Sequence, residues 1–343
     1  MMQQIYLVLT ERCNLACSHC IRDSSPHRSE AAEVEMMRSV LKQAAALFPN
    51  TTILLTGGEP TIYKGFKRIL SECVALGLDT IINSNGVAPY FGRADLTALA
   101  ERGVMVQISL DGERSQHDRI RGKGTFDRAL RTLRRLREAG VRCSVSTTVI
   151  DPAFFLTASD MLGELDDLGL THIAIKRATF AGRASSGTPL TSEAWNRGVY
   201  ALRASRLATP LRMSPMFDLQ ALSSLTDAQV AAIRPGPFDQ NCGAGTAKIY
   251  VYPSGDVCAC TCFRDLPVGN LLAEPLAEIL AQYLPAPLRS EVCGACRYVS
   301  ACRGGCLGSG YQHTGSLGSP DPRCDAVAAA AQSRSSVPLQ LVS

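Results

Sequence analysis

Six short runs of β-branched and aliphatic residues recur through the first half of the chain: "IYLVLT" at 5–10, "TTILLT" at 51–56, "DTIINS" at 79–84, "VMVQISL" at 104–110, "VRCSVSTTVI" at 141–150 and "THIAIK" at 171–176. Amphipathic stretches such as "EVEMMRSVLKQAAALF" and "TFDRALRTLRRLREAG" separate them. This alternation points to parallel pairing, because a strand reaches a parallel neighbour only through a crossover, most often a helix. Repeated six times, it suits an α/β fold of the partial (β/α)6 TIM-type barrel kind better than a small open sheet. Within the arginine-rich stretch, Leu130, Leu133 and Leu136 form one helical stripe while the arginines from Arg128 to Arg137 fall elsewhere. The pattern predicts a buried stripe with a solvated face, not a phosphate site.

The alternation stops near residue 180. Residues 181–241 carry Gly, Pro and Ser with one helical piece at "SEAWNRGVYALRASR", and read as a bridge. From 242 to 325 the character changes again, with nine of the fourteen cysteines and only short apolar runs. A segment so poor in core residues needs staples. Residues 326–343 read as a frayed tail. Four pieces are therefore expected: a barrel over 1–180, a bridge over 181–241, a cysteine-rich domain over 242–325 and a tail.

What holds the staples depends on compartment. The start "MMQQIYLVLTERC" lacks the basic region and cleavage site of a secretory signal, and no run approaches the ~18 apolar residues of a membrane span. A cytoplasmic protein with no membrane partner is expected. There thiols stay reduced, so metal binding explains fourteen cysteines better than disulfides do, with Cys73 and Cys143 read as plain buried thiols. A net charge of +4 with scattered arginines gives no sign of a nucleic-acid partner.

Directly after the first strand stands "CNLACSHC", Cys13 to Cys20: three thiols where a closed tetrahedral site needs four. The second strand is followed by "TGGEP", Thr56 to Pro60. In a parallel barrel both loops open onto the C-terminal face, where active sites are built. Gly57 and Gly58 would let a ligand approach the backbone, and Glu59 would offer a carboxylate to an ammonium group. A thioredoxin-like pair would not need Cys13, and haem attachment would need a histidine where Ile21 stands. Zinc with His19 as fourth ligand stays open. An iron-sulfur cluster on three thiolates explains number and place together.

CxxxCxxC after strand one and GGEP after strand two resemble the radical S-adenosylmethionine (SAM) enzymes. The resemblance implies that Cys13, Cys17 and Cys20 bind a 4Fe-4S cluster whose open iron takes the amino and carboxylate groups of SAM. Reductive cleavage then gives methionine and a 5′-deoxyadenosyl radical that abstracts hydrogen from substrate. "SLDG" at 109–112 and the following "HDRIRGKGTF" look like the family's fourth-strand segment. That places Ser109 near the SAM ribose, with Asp111 beside it, and Arg121 near the SAM carboxylate. Gly58 would meet the methionine moiety, and His19, at a position aromatic in many relatives, would lie near adenine.

The C-terminal cysteines, Cys242, Cys260, Cys293-x2-Cys296-x5-Cys302-x3-Cys306 and Cys324, resemble the SPASM extension of such enzymes. It implies two auxiliary 4Fe-4S clusters, three clusters in all. Cys242, Cys260 and Cys306 would serve the first, and Cys293, Cys296, Cys302 and Cys324 the second. Where some relatives have a further cysteine for the first, this chain has Lys248, so either Cys258 or Cys262 completes it or an iron stays open. Thr261 replaces the catalytic Asp of sulfatase-maturing relatives, which argues against that activity. Lys176 and Arg177, expected at the barrel mouth, are the remaining catalytic candidates.

By the same analogy the expected substrate is a ribosomally made peptide that gains a crosslink, thioether or other oxidative change. A small-molecule or cofactor precursor is the alternative, and a non-enzymatic metal-binding scaffold the distant one. Flavodoxin or ferredoxin is the expected low-potential electron donor. With the first strand at residue 5, leader recognition is expected from the barrel rim, the bridge or a separate protein.

Overall fold

The computed structural model describes residues 2–88, 92–179, 181–186, 190–216, 222–233, 243–283, 288 and 290–335. The six expected strands form: β1 (Gln4–Val8), β2 (Thr52–Thr56), β3 (Asp79–Ser84), β4 (Met105–Ser109), β5 (Arg142–Val149) and β6 (Ile173–Arg177). Between them run α1 (Val34–Leu47), α2 (Phe66–Ala75), α3 (Arg93–Glu101), α4 (Arg114–Arg121), α5 (Thr125–Glu138) and α6 (Phe154–Asp166). Each strand pairs in parallel with the next, from β1 to β6.

Strand alternation sorts the side chains onto two faces. Ile5, Leu7, Ile53, Leu55, Ile82, Val106, Ile108, Val145, Ile173 and Ile175 join one core with the helices. From α5 that core takes Phe126, Ala129, Leu130, Leu133 and Leu136, the stripe the sequence predicts. Cys73 and Cys143 are also buried in it. The alternate positions, Tyr6, Asn83, Gln107, Ser109, Ser144, Ser146, Thr148 and Lys176, line the opposite, largely polar face. A parallel sheet with helices against one face and polar groups on the other is the arrangement of an open, partial barrel.

The sheet runs on beyond the six expected strands. In the bridge, α7 (Ser192–Arg203) is followed by β7 (Leu211–Arg212), which pairs in parallel with β6, and then by α8 (Asp227–Ala232). The cysteine-rich region opens with β8 (Lys248–Val251), which pairs in parallel with β1 on its other side, Tyr6 opposite Tyr250. Beyond it β9 (Asp256–Cys258) and β10 (Gly269–Asn270) continue antiparallel. The bridge is packed, too: the Trp195 indole is 3% exposed, meets the Phe155 ring and donates to the Ser214 carbonyl. Among the described residues four short helices follow, α9 (Leu276–Gln282), α10 (Glu291–Gly294), α11 (Val299–Cys302) and α12 (Leu307–Thr314). The expected tail begins as a helix, α13 (Asp325–Ser335), because "DAVAAAAQSRS" is mostly alanine-type helix former. Among the described residues no helix is long and apolar enough to cross a membrane.

Candidate active site

The loops after β1 and β2 are zipped together by backbone. Gly58 N–H donates to the Thr10 carbonyl at 2.7 Å and Glu59 N–H to that of Arg12 at 3.0 Å. A Cβ on Gly58 would overlap the Arg12 carbonyl, and one on Gly57, at φ +150°, would overlap that of Thr10. The glycines therefore serve first to bring "GGEP" against the cysteine loop.

Glu59 departs from the expected ammonium-binding role. Its carboxylate is unexposed and turned inward: Oε1 accepts from Thr61 N–H, Thr61 Oγ1 at 2.6 Å and Ser84 Oγ at 3.0 Å, and Oε2 from Asn85 N–H at 2.8 Å. Burial raises its pKa against the pull of these donors. Its physical role is a pin between the ends of β2 and β3. The pinned Asn85 in turn reaches the cysteine loop, donating to Asn14 Oδ1 at 2.8 Å and approaching Cys13 Sγ at 3.7 Å.

Cys13 and Cys17 are buried and Cys20 is half-buried. Cys13 Sγ accepts Leu15 N–H and Cys20 Sγ accepts Ser24 N–H, both at 3.4 Å. Burial pushes the Cys13 thiol up to about 12, and Cys17 in the same direction. Free thiols here stay protonated, so a bound metal must draw out the thiolates. The far side of the loop is clamped from the bridge. Arg183 donates to the carbonyls of Cys17 at 2.8 Å and Ser24 at 2.6 Å and pairs with Asp23 at 2.7 Å. Gly182, at φ +58°, fits where a Cβ would strike the Cys20 carbonyl.

Asp111 gathers the candidates from the fourth strand. Its unexposed carboxylate meets Arg121 Nε at 2.5 Å and His19 Nε2 at 2.9 Å through Oδ2, and Thr148 N–H at 2.8 Å through Oδ1. Burial works against its charge, but the Arg121 guanidinium and His19 hold it far below the usual carboxylate range. Asp111 N–H donates to His117 Nδ1 at 3.1 Å, and His117 is driven down to about 4, chiefly by burial, so it is neutral. Ser109 ends β4 on the polar face, opposite Ser146. Arg121 and His19, the latter within the cysteine loop, thus stand together, held by a carboxylate just past the end of β4.

Lys176 and Arg177, expected together, are separated by strand alternation. Lys176 is accessible to solvent on the barrel's polar face, yet protein encloses it, and enclosure with the charge of Lys248 lowers it to about 8. Arg177 points the other way, with Nη1 2.7 Å from Met216 Sδ and Nε and Nη2 buried without a hydrogen-bond partner among the described residues. Burial, then the charge of Arg323, lowers it to about 10.

In the cysteine-rich region, Cys293, Cys296, Cys302 and Cys324 line a single pocket whose other walls include Val292, Val299 and Val327. Four soft donors around an apolar hollow suit a cubane cluster. Cys260 and Cys262 lie against α12, whose N-cap is Cys306. A hydrogen bond with Cys262 lowers Cys260 to about 6 against burial, with help from the charge of Lys248. Cys258 is packed with Val8, Tyr250 and Tyr252, and burial pushes it up to about 12. Cys242 lies outside the described residues. Asp321 organises this region, accepting Cys306 N–H at 3.1 Å and pairing with buried Arg323 at 2.6 Å. The region touches the first loop directly, since Arg264 pairs with fully buried Glu11.

Among the described residues no three His, Cys, Asp or Glu side chains converge on one metal ion. A cubane asks for something else: one thiolate for each iron, spread around a larger body. Asn85, His117, Arg183, Glu11 and Arg264 belong to the site although sequence pattern does not mark them. Asn85, the residue just past β3, is the one whose position at a strand's C-terminal end was a usable signal.

Fold and loops together define an α/β partial barrel built around a cysteine loop at its C-terminal mouth. The pattern of the Radical SAM superfamily matches residues 7–175. The chain is 28% identical over 336 residues to the mycofactocin maturase MftC of Mycolicibacterium smegmatis, covering 92% of this chain and 81% of that protein. It is 29% identical over 277 residues to the sporulation killing factor maturation protein SkfB of Bacillus subtilis, covering 80% and 63%. Among solved structures, Streptococcus suis SuiB bound to precursor peptide SuiA superposes with a TM-score of 0.76 at 16% identity, over 95% of this chain and 76% of that one. Residues 7–175 belong to the radical SAM superfamily. Membership brings SAM and a 4Fe-4S cluster as cofactors.

Proposed function

We propose that this chain is a radical SAM maturase acting on a ribosomally made peptide, leaving a crosslink, thioether or other oxidative modification. The observation that carries the reading is the zipping of the three-cysteine loop to "GGEP" at the mouth of a polar barrel, in a chain similar along most of its length to peptide maturases.

Cys13, Cys17 and Cys20 would hold the cluster, with the backbone of Gly58, the ring of His19, Ser109 and Arg121 around SAM. When bound, cluster and SAM supply a 5′-deoxyadenosyl radical that takes a hydrogen atom from the substrate. The protein's own work is to orient and to exclude water. Asp111 fixes Arg121 and His19, Arg183 and Asn85 fix the cysteine loop from either side, and Lys176 meets the substrate from the barrel wall. The C-terminal cysteines would hold two auxiliary clusters, the second on Cys293, Cys296, Cys302 and Cys324. A low-potential donor such as flavodoxin or ferredoxin in the cytoplasm would supply electrons. Peptide recognition would fall to the barrel rim, the bridge or a separate protein.

The test is anaerobic incubation with SAM, reductant and peptides encoded beside the gene, followed by mass spectrometry. A mass-shifted peptide formed together with 5′-deoxyadenosine is the expected result. Turnover of a small molecule with every such peptide unchanged would favour the cofactor-precursor alternative, and zinc without SAM turnover the scaffold.

A further inference from the structure

We infer that Cys262, and not Cys258, joins Cys260 and Cys306 as a thiolate ligand of the first auxiliary cluster; the inference rests on the proposed reading of the C-terminal cysteines. The gap to be filled comes from Lys248, which stands where some relatives carry a further cysteine. Two thiols flank Cys260 at equal distance in sequence. Their surroundings differ.

Cys258 ends β9, is unexposed and packs among Val8, Tyr250 and Tyr252. Among the described residues its Sγ meets one polar partner, the Arg264 carbonyl, at 4.0 Å. Bringing this sulfur to a cluster would mean withdrawing it from a strand and an aromatic cluster.

Cys262 stands in a 3-10 turn, Thr261–Phe263, that reverses the chain immediately after Cys260. The Cys262 N–H donates to Cys260 Sγ at 3.5 Å, and the Cys262 carbonyl is tied to α12 by Gln312 Nε2 at 2.7 Å. The turn lies against Gly308 in the first turn of that helix. A Cβ on Gly308 would sit 3.2 Å from Cys262 Sγ and 3.6 Å from Cys260 Sγ, so glycine keeps this space free for sulfur. Cys306 caps the same helix, its Sγ accepting Ser309 N–H at 3.4 Å. Three sulfurs therefore lie at the first turn of α12, one capping it and two packed against it, at the end where the helix dipole favours thiolate. A single thiol that is merely buried would show none of these arrangements.

The experiment uses the full chain, anaerobically reconstituted, carrying Cys13→Ala, Cys17→Ala and Cys20→Ala so that only auxiliary clusters remain. Onto this background go Cys262→Ala or Cys258→Ala. Iron and sulfide are counted, and electron paramagnetic resonance is recorded after mild ferricyanide oxidation. A cluster with an open iron loses it to give a 3Fe-4S signal. The background and Cys258→Ala are expected to hold about eight irons per chain and give no such signal, whereas Cys262→Ala should give about one 3Fe-4S spin or lose about four irons. A signal from the background itself, loss with Cys258→Ala, or an unchanged Cys262→Ala each overturns the assignment. A background with no iron overturns the auxiliary-cluster reading instead, which keeps the two failures apart. If the triple variant does not fold, the same pair is compared with native cysteines under saturating SAM, which covers the open iron of the first cluster.

Discussion

Replacing Asp111 with asparagine keeps the side chain's shape and the acceptor for Thr148 N–H, but removes the charge that faces Arg121 and His19. The Arg121 side chain is 11% exposed, so the variant leaves a guanidinium nearly buried opposite a neutral amide. Removing one partner of a buried pair costs about 3–5 kcal/mol. The slight exposure of Arg121 puts the expectation near the lower figure, about 3 kcal/mol. With a urea slope of about 2–3 kcal/mol/M the midpoint should fall by about 1 M. The assay is anaerobic urea unfolding of wild type, Asp111→Asn, Arg121→Met and the double variant. In the double variant the charge is removed from both sides, so its loss should be well short of the sum of the singles. Because Asp111 is depressed in the fold, its stabilisation is complete above the ordinary carboxylate pKa of about 3.9 and disappears only as pH falls through its lower folded value. The gap between wild type and Asp111→Asn should therefore not shrink from about pH 8 to pH 5. A loss below about 0.5 kcal/mol, additive singles, or a gap that shrinks already between those values would refute this account of Asp111.

Three further outcomes follow from the same geometry. Gly58→Ala would drive a Cβ into the Arg12 carbonyl, and forcing the loops apart should cost about 1–3 kcal/mol, read as faster iron loss from the first cluster with unchanged far-ultraviolet circular dichroism. Arg183→Ala removes the donors to the Cys17 and Ser24 carbonyls and should quicken chelator removal of that cluster; Lys cannot span these acceptors and should not rescue, and rescue by Lys would show that only charge matters. For Lys176, positive charge is lost as pH rises through about 8, so KM for a substrate bound through an anionic group should climb above that pH in wild type and stay flat in Lys176→Arg. Lys176→Met should raise KM at neutral pH about tenfold, the worth of one charge-assisted hydrogen bond; an unchanged KM would remove Lys176 from the substrate wall.

Features set by neighbouring residues were legible in the sequence. Apolar runs of β-branched residues marked β1 to β6, the Leu130–Leu133–Leu136 stripe oriented α5, and the spacings of Cys13 to Cys20 and Cys293 to Cys302 needed only local chain. Features that depend on distant partners were not. Asp111 acts through His19, Arg121 and Thr148, which come from three other segments. Arg183 reaches back 166 residues to Cys17 from a stretch without periodicity. The two-residue β7 is too short to show a period, and β8 pairs with β1 from a distant part of the chain. Glu59 carried the right residue type for a ligand group, but Thr61, Ser84 and Asn85 satisfy it internally, a competition that sequence spacing does not reveal.

The most direct test of the account is 5′-deoxyadenosine formation by the reconstituted protein, given SAM and dithionite without oxygen, beside the Cys17→Ala variant. Wild type should release 5′-deoxyadenosine and methionine in equal amounts while the variant releases neither. A wild type that leaves SAM intact, or a variant that cleaves it at the same rate, would contradict the assignment of the cysteine loop.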